Sequence, residues 1–315
     1  MAESVQHLKK RLKSVANINK ITKAMEMVAA TKMRKSQEIA LASRPYAFVA
    51  LDLLAHIREG DEKSSVFLKQ RPVKKVLFVI ISSDKGLAGS FNSSVFRKFE
   101  QHMQRDQEKY LSEEKLYMAV GQKAIQYAAR KVLPLSRQFL NDADHVEPGN
   151  VSPVADAIIQ GYLKNEWDRV VVVSMHFRSA LRQEPHVRRI LPVDFGHIKE
   201  IIGELVPETG KFAELIKENN IDFTAKEKTT AEYVIEPSPA VVLDKLAEHL
   251  LFMQIYHLML EANAAEHSAR RMAMKTASDN ANDLGEALNL QYNKVRQASI
   301  TNQIIEISAG TEAQT

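Results

Sequence analysis

The sequence predicts an α/β protein with long α-helices: an antiparallel coiled coil from the N- and C-terminal helices, and a central doubly wound, Rossmann-like α/β domain between them. Three observations predict it. Both chain ends are long, nearly free of glycine and proline, and apolar at alternating three- and four-residue steps. The middle alternates continuous β-branched runs with helical stretches. Each end helix has a narrow apolar seam and would not stay ordered alone over its length, so each is the other's economical partner.

The first helix is read over 1–60. From Glu3 to Ile57 there is no glycine, and Pro45 is the only proline, the expected place of a kink. Val5, Leu8, Leu12 and Val15 form one apolar run, and after a slip of phase Ile18, Ile21, Met25 and Val28 form another. The last helix, 239–310, follows the turn EPSP and has one glycine, Gly285, between Val241 and Ser308. Leu243, Leu246, Leu250, Met253, Leu260, Ala264, Met274, Ala281, Leu288 and Val295 keep a heptad register. At 1.5 Å per residue such a helix is on the order of 100 Å long. His257, His267, Arg271 and Ser278 fall on the same seam, so its core is not purely apolar.

The α/β domain is read over 72–235. KVLFVIIS (75–82) and RVVVVSM (169–175) are buried parallel strands, and KLYMAV (115–120) a shorter one. Helices are expected over 92–105, over GQKAIQYAARK, and over 152–164, the last with Ser152 as N-cap and Pro153 in its first turn. A charged surface insertion is expected at about 196–230.

Composition narrows the chemistry. The chain has no cysteine, which excludes disulfides and thiol catalysis. No apolar run reaches the roughly 18 residues of a membrane span. The net charge is +4, but residues 1–35 hold nine Lys and Arg against Glu3 and Glu26, so that end suits an acidic partner. Nucleic acid is not the expected partner, because Tyr46 and Phe48 are not interleaved with the cations. The turn SSDKGLAGSFN (82–92) follows a strand as a phosphate cradle would, yet Gly86 and Gly89 satisfy neither G-x-G-x-x-G nor G-x-x-x-x-G-K-[ST]. The ten histidines give no HExxH. His257 and Glu261, one turn apart on the seam, are read as packing rather than as metal ligands. No catalytic residue, cofactor site or metal site is expected.

KITKAMEMVAATKMRK (20–35), SSDKGLAGSFN, FRSALRQEPHVRRILP (177–192), MKTASDNA (274–281) and YNKVRQASITNQIIEISAG (292–310) closely resemble the γ subunit of F-type ATP synthase, in family order over nearly the whole chain. The resemblance implies a non-catalytic rotor shaft for a proton-transporting two-sector ATPase. Its coiled coil would turn inside a hexamer of α and β subunits, and its α/β foot would sit with the ε subunit on the membrane c-ring. It further implies a catch on one β subunit at Arg296, Gln297 and Thr301, β-facing positions at Met25 and Lys85, and a c-ring-facing foot at Tyr233 and Glu236. The expected location is the cytoplasmic face of a bacterial inner membrane, peripheral and indirect through the c-ring; no transit peptide precedes the shaft. This chain has Lys85 and Ala88 where the family commonly has Arg and Cys, and Gln303 where an acidic residue is usual. A phosphoryl-ligand enzyme using the 82–92 turn and a static coiled-coil scaffold are the other two functional classes compatible with the residues.

Overall fold

The computed structural model describes residues 4–42, 65–106, 113–141, 144–193 and 238–312. The expected kink at Pro45, the 196–230 insertion, Tyr233 and Glu236 lie outside them. The elements in chain order are α1 (Val5–Ala42), β1 (Lys75–Ile81), α2 (Phe91–Arg105), β2 (Glu114–Val120), α3 (Gln122–Lys131), β3 (Leu135–Phe139), α4 (Pro148–Leu163), β4 (Arg169–Phe177), β5 (Gln183–Leu191) and α5 (Pro239–Glu312). They fall into two compact units, one of residues 1–30 with 270–315 and one of residues 31–269.

In the larger unit the strands lie in the order β3-β2-β1-β4-β5. The first four are parallel, each joined to the next in sequence by a helix, and β5 is antiparallel to β4. Side chains alternate across the sheet. Leu77, Val79, Ile81, Val170 and Val172 pack against α4 and against Ala247, Leu251, Ile255, Met259 and Ala262 of α5. Val76, Phe78, Ile80, Val171 and Val173 pack against Phe91, Val95 and Phe99 of α2 and Ala124 and Tyr127 of α3. Helices therefore cover both faces, which makes the sheet doubly wound. The stretch of α5 from Gln254 to Ser268 is buried all round, not along a seam alone. Its apolar residues belong to the sheet's core, and this corrects the reading of the whole helix as one side of a coiled coil.

The helix expected at 152–164 begins one turn earlier. Pro148 sits in its first turn, and Glu147 and Asn150 cap it reciprocally, so Ser152 is internal and its hydroxyl donates to the Pro148 carbonyl at 3.1 Å. A capping box usually opens on Ser or Thr, so Glu147 carries no sequence signal for this start.

In the smaller unit α1 and α5 run antiparallel. Asn19 Nδ2 donates to Asn282 Oδ1, Thr22 Oγ1 lies 2.7 Å from Ser278 Oγ, and a Cβ added at Gly285 would lie 3.8 Å from Val15. The α1 seam has no slip of phase. Leu8, Leu12, Val15, Asn19, Thr22, Glu26 and Ala29 are buried or half-buried at unbroken heptad spacing, while Ile18, Ile21 and Val28 are about half exposed or more. The polar residues at 19 and 22 stay inside because each finds a hydrogen-bonding partner across the pair. On α5 the same spacing buries Met274, Ser278, Ala281 and Leu288.

Candidate functional site

The turn after β1 is a closed polar network. Ser82 N donates to the Val120 carbonyl at 2.8 Å, and Ser82 Oγ accepts from Ala124 N at 2.7 Å. The Asp84 carboxylate accepts from Gln122 N at 2.6 Å and from Asn141 N at 3.1 Å. Asn141 Nδ2 donates in turn to the Ser82 carbonyl at 3.1 Å. The free donors at the N-terminus of α3 are thus taken by the chain's own carboxylate and hydroxyl. Gly121 allows that approach: its φ is +96°, and a Cβ there would lie 2.3 Å from the Ser82 carbonyl oxygen. Ser83 and Asn92 close the other side, with Asn92 Nδ2 donating to Ser83 Oγ at 2.7 Å and Ser83 Oγ to the Lys85 carbonyl at 2.8 Å.

The network leaves Lys85 exposed at the tip. Of the two glycines in the turn, Gly89 has positive φ (55°), whereas Gly86 has ordinary φ and open space around it. The other left-handed residue is Leu87 (φ 62°), which is 65% exposed. The charge of Lys85 also reaches Asp144. Hydrogen bonding from Lys32, helped by the charges of Lys32, Lys85 and His145, holds the Asp144 carboxyl below the usual carboxylate range.

The remaining expected contact residues are on the helices of the smaller unit. Met25 is half-buried beside the seam residues Thr22, Glu26 and Ala29. Arg296 and Gln297 are exposed on α5, with the Arg296 guanidinium 5.9 Å from the Tyr292 ring centre. The Thr301 hydroxyl donates to the Gln297 carbonyl at 3.0 Å, so its proton is used within the helix and only its lone pairs face outward. All side chains from Thr301 to Ser308 are exposed, including Ile304, Ile305 and Ile307.

A buried ionic cluster in the larger unit was missed from sequence. Glu261 does not sit on a helix-pair seam; it faces the sheet. Its carboxylate accepts from His176 Nδ1 of β4 at 2.9 Å and lies 3.6 Å from Arg188 Nη1 of β5. The rings of His176 and His186 stack at 5.0 Å. His176 lies 85 residues from Glu261, so no local motif announces the pair. Among the described residues there is no cluster of ligand residues able to hold a metal, and no helix long and apolar enough to cross a membrane.

A family model described as ATP synthase matches residues 4–314. The chain is 34% identical over 314 residues to the sodium-ion-specific ATP synthase gamma chain of Acetobacterium woodii, covering 99% of each. It is 35% identical over 317 residues to the ATP synthase gamma chain of Gloeobacter violaceus, covering 98% of this chain and 99% of that one. Its fold is similar to a chain in the cryo-EM structure of the Euglena gracilis mitochondrial ATP synthase rotor, with a TM-score of 0.59, 17% identity, and coverage of 94% of this chain and 98% of that one.

Proposed function

The chain belongs to the ATP synthase gamma-chain family, and from that premise we infer that it is the central rotor shaft of an F-type ATP synthase. It couples ion flow through the membrane c-ring to ATP synthesis in a hexamer of α and β subunits by rotation, with the ε subunit beside it at the foot. It is a non-catalytic subunit of that assembly.

The observation that carries the reading is the antiparallel pairing of the two chain ends, held by Thr22–Ser278 and Asn19–Asn282. A shaft needs two helices whose outer faces remain available to a surrounding ring. Ile18, Ile21, Met27 and Val28 on α1, and Ile304, Ile305 and Ile307 on α5, are left exposed in this way. An enzyme using the 82–92 turn for a phosphorylated ligand is disfavoured, because the turn's polar groups are bonded to one another and to the start of α3.

The smaller unit, residues 1–30 with 270–315, makes the shaft, and the larger unit, which includes the first part of α5, makes the foot. Arg296, Gln297 and Thr301 form a catch on one β subunit, where the guanidinium of Arg296 suits a carboxylate and Thr301 offers an acceptor. Met25 and Lys85 face β, and Tyr233 and Glu236 face the polar loops of the c-ring. The working location is the cytoplasmic face of a bacterial inner membrane, reached through the c-ring; the bacterial sources of the relatives support it. Mixing α and β subunits with and without this chain tests the role. Co-elution as one complex with restored ATPase activity supports the shaft. Nucleotide binding by the chain alone supports an enzyme, and self-association without the hexamer a scaffold.

A further inference from the structure

The first part of α5, up to Ala269, belongs to the larger unit and is buried all round from Gln254 to Ser268, and the same helix continues as one strand of the helical pair. Most of its hold on the sheet is apolar: Ala247, Leu251, Ile255, Met259 and Ala262 lie in the core cluster. Apolar contact is non-directional. Directional contacts are what fix rotation and axial position.

Two such contacts lie on one face of α5, seven residues apart, and both go to the same hairpin. At the first, Glu261 meets His176 at 2.9 Å and Arg188 at 3.6 Å. At the second, Ser268 Oγ donates to the Ala180 carbonyl at 2.7 Å and accepts from Gln183 Nε2 at 3.1 Å. His176 belongs to β4, Arg188 to β5, and Ala180 and Gln183 to the turn and the start of β5. The strand register sets Val172 opposite Arg188, Ser174 opposite His186 and His176 opposite Glu184, so these polar side chains share the face turned to α5. Across that face Glu184 is held by Arg182 and Arg178, with His186 near it.

A buried carboxylate is expensive to desolvate, and an aliphatic residue of the same volume would usually serve stability as well or better. What the ionic contact adds is a single permitted orientation of the helix. We propose that the β4–β5 hairpin is the torque-bearing attachment of the α/β unit to the shaft helix, with Glu261 as its positioning residue and Ser268 as its second point of hold. This rests on the shaft reading. Rotation of the foot reaches the helical pair through α5, and slippage at this attachment would let the hexamer turn over ATP without moving ions in proportion.

The test uses the complete ATP synthase carrying this chain, reconstituted into phospholipid vesicles. ATP hydrolysis is read beside the membrane potential reported by an anionic oxonol dye, which responds whichever cation is moved. Glu261→Gln keeps an acceptor for His176 but removes the negative charge that lies 3.6 Å from Arg188 Nη1. We expect it to keep hydrolysis and subunit composition near wild type and to lower the potential generated per ATP severalfold. The charge-balanced double variant Glu261→Gln with Arg188→Gln is expected to regain much of the loss, which a merely destabilised fold would not do. Ser268→Ala, which strands no charge, is expected to lower the same ratio by a smaller factor. If Glu261→Gln does not assemble, Ser268→Ala carries the test alone. An unchanged potential per ATP in an assembled variant, or hydrolysis and potential falling together, overturns the proposal. Wild-type chain that supports no ATP-driven potential at all rejects the shaft reading instead.

Discussion

Replacing Asp84 by Ala separates the two meanings of the turn after β1. In the folded chain the Asp84 carboxylate receives the Gln122 N–H at 2.6 Å and the Asn141 N–H at 3.1 Å. Backbone bonds to a charged acceptor each contribute about 1.5–3 kcal/mol when the acceptor is deleted. Asp84 is only half-buried, so water can reach the freed donors and the combined loss is reduced to about 2 kcal/mol. For a unit of this size that lowers the unfolding midpoint by about 4–8 °C. The single tryptophan, Trp167, is fully buried in the same unit and reports its unfolding by fluorescence. Deleting the carboxylate also vacates an anion position at a helix N-terminus. Added phosphate should therefore restore part of the lost midpoint in Asp84→Ala and do nothing for wild type beyond a chloride control of equal ionic strength. An unchanged midpoint in the variant, or an equal phosphate response in wild type, would refute the reasoning.

Gly161→Ala should cost about 3 kcal/mol, because the new Cβ would lie 2.0 Å from Cζ2 of the buried Trp167 ring; the urea midpoint followed by Trp167 emission checks it. Burial pushes the Glu261 carboxyl up, but the His176 hydrogen bond, with the charges of His176, Arg188 and His257, outweighs it and holds the group below the usual carboxylate range. With its folded pKa below its unfolded one, Glu261 contributes fully above about pH 5 and its contribution is lost as pH falls through the folded value. Urea midpoints measured against pH should accordingly show a shallower acid loss in Glu261→Gln, and equal slopes would count against the ion pair. Met25→Lys places a new cation on the half-buried side of α1. It should lower ion transport per ATP while assembly survives, and a normal ratio in an assembled complex contradicts the β-facing role. Gln297→Leu combined with Thr301→Val should leave helicity unchanged and lower ATP hydrolysis of the complex severalfold, since a polar group on the partner loses its hydrogen bond; full activity would make these residues plain surface.

The strands β1 and β4 were legible because buried parallel strands are continuous β-branched runs, and β2 as a short apolar run before a helical stretch. The edge strands β3 and β5 were not. LSRQF and QEPHVRRIL carry charges because each has only one neighbouring strand, and the polar face of β5 is occupied by the hydrogen bonds and ion pairs to α5. Helical phase along α1 misled for a related reason. Ile18, Ile21, Met25 and Val28 make a more apolar stripe than the true seam, yet Asn19 and Thr22 are the residues turned inward, because their partners Asn282 and Ser278 lie more than 250 positions away. The heptads of α5 were legible past Met274 and misassigned before Ala269, where the sheet surrounds the helix. At the 82–92 turn the glycine spacing speaks against a phosphate loop. The physical reason, Asp84 reaching α3, needed the fold.

The central claim is rotation, and the absence of cysteine in the chain allows it to be watched directly. A cysteine placed at the exposed position 101, as Gln101→Cys on α2, takes a single fluorophore on the α/β unit. With the hexamer fixed to a surface and ATP supplied, the polarisation of that label should turn in one direction and stop when ATP is withdrawn. A label that stays still while the same immobilised complexes hydrolyse ATP at full rate would contradict the account.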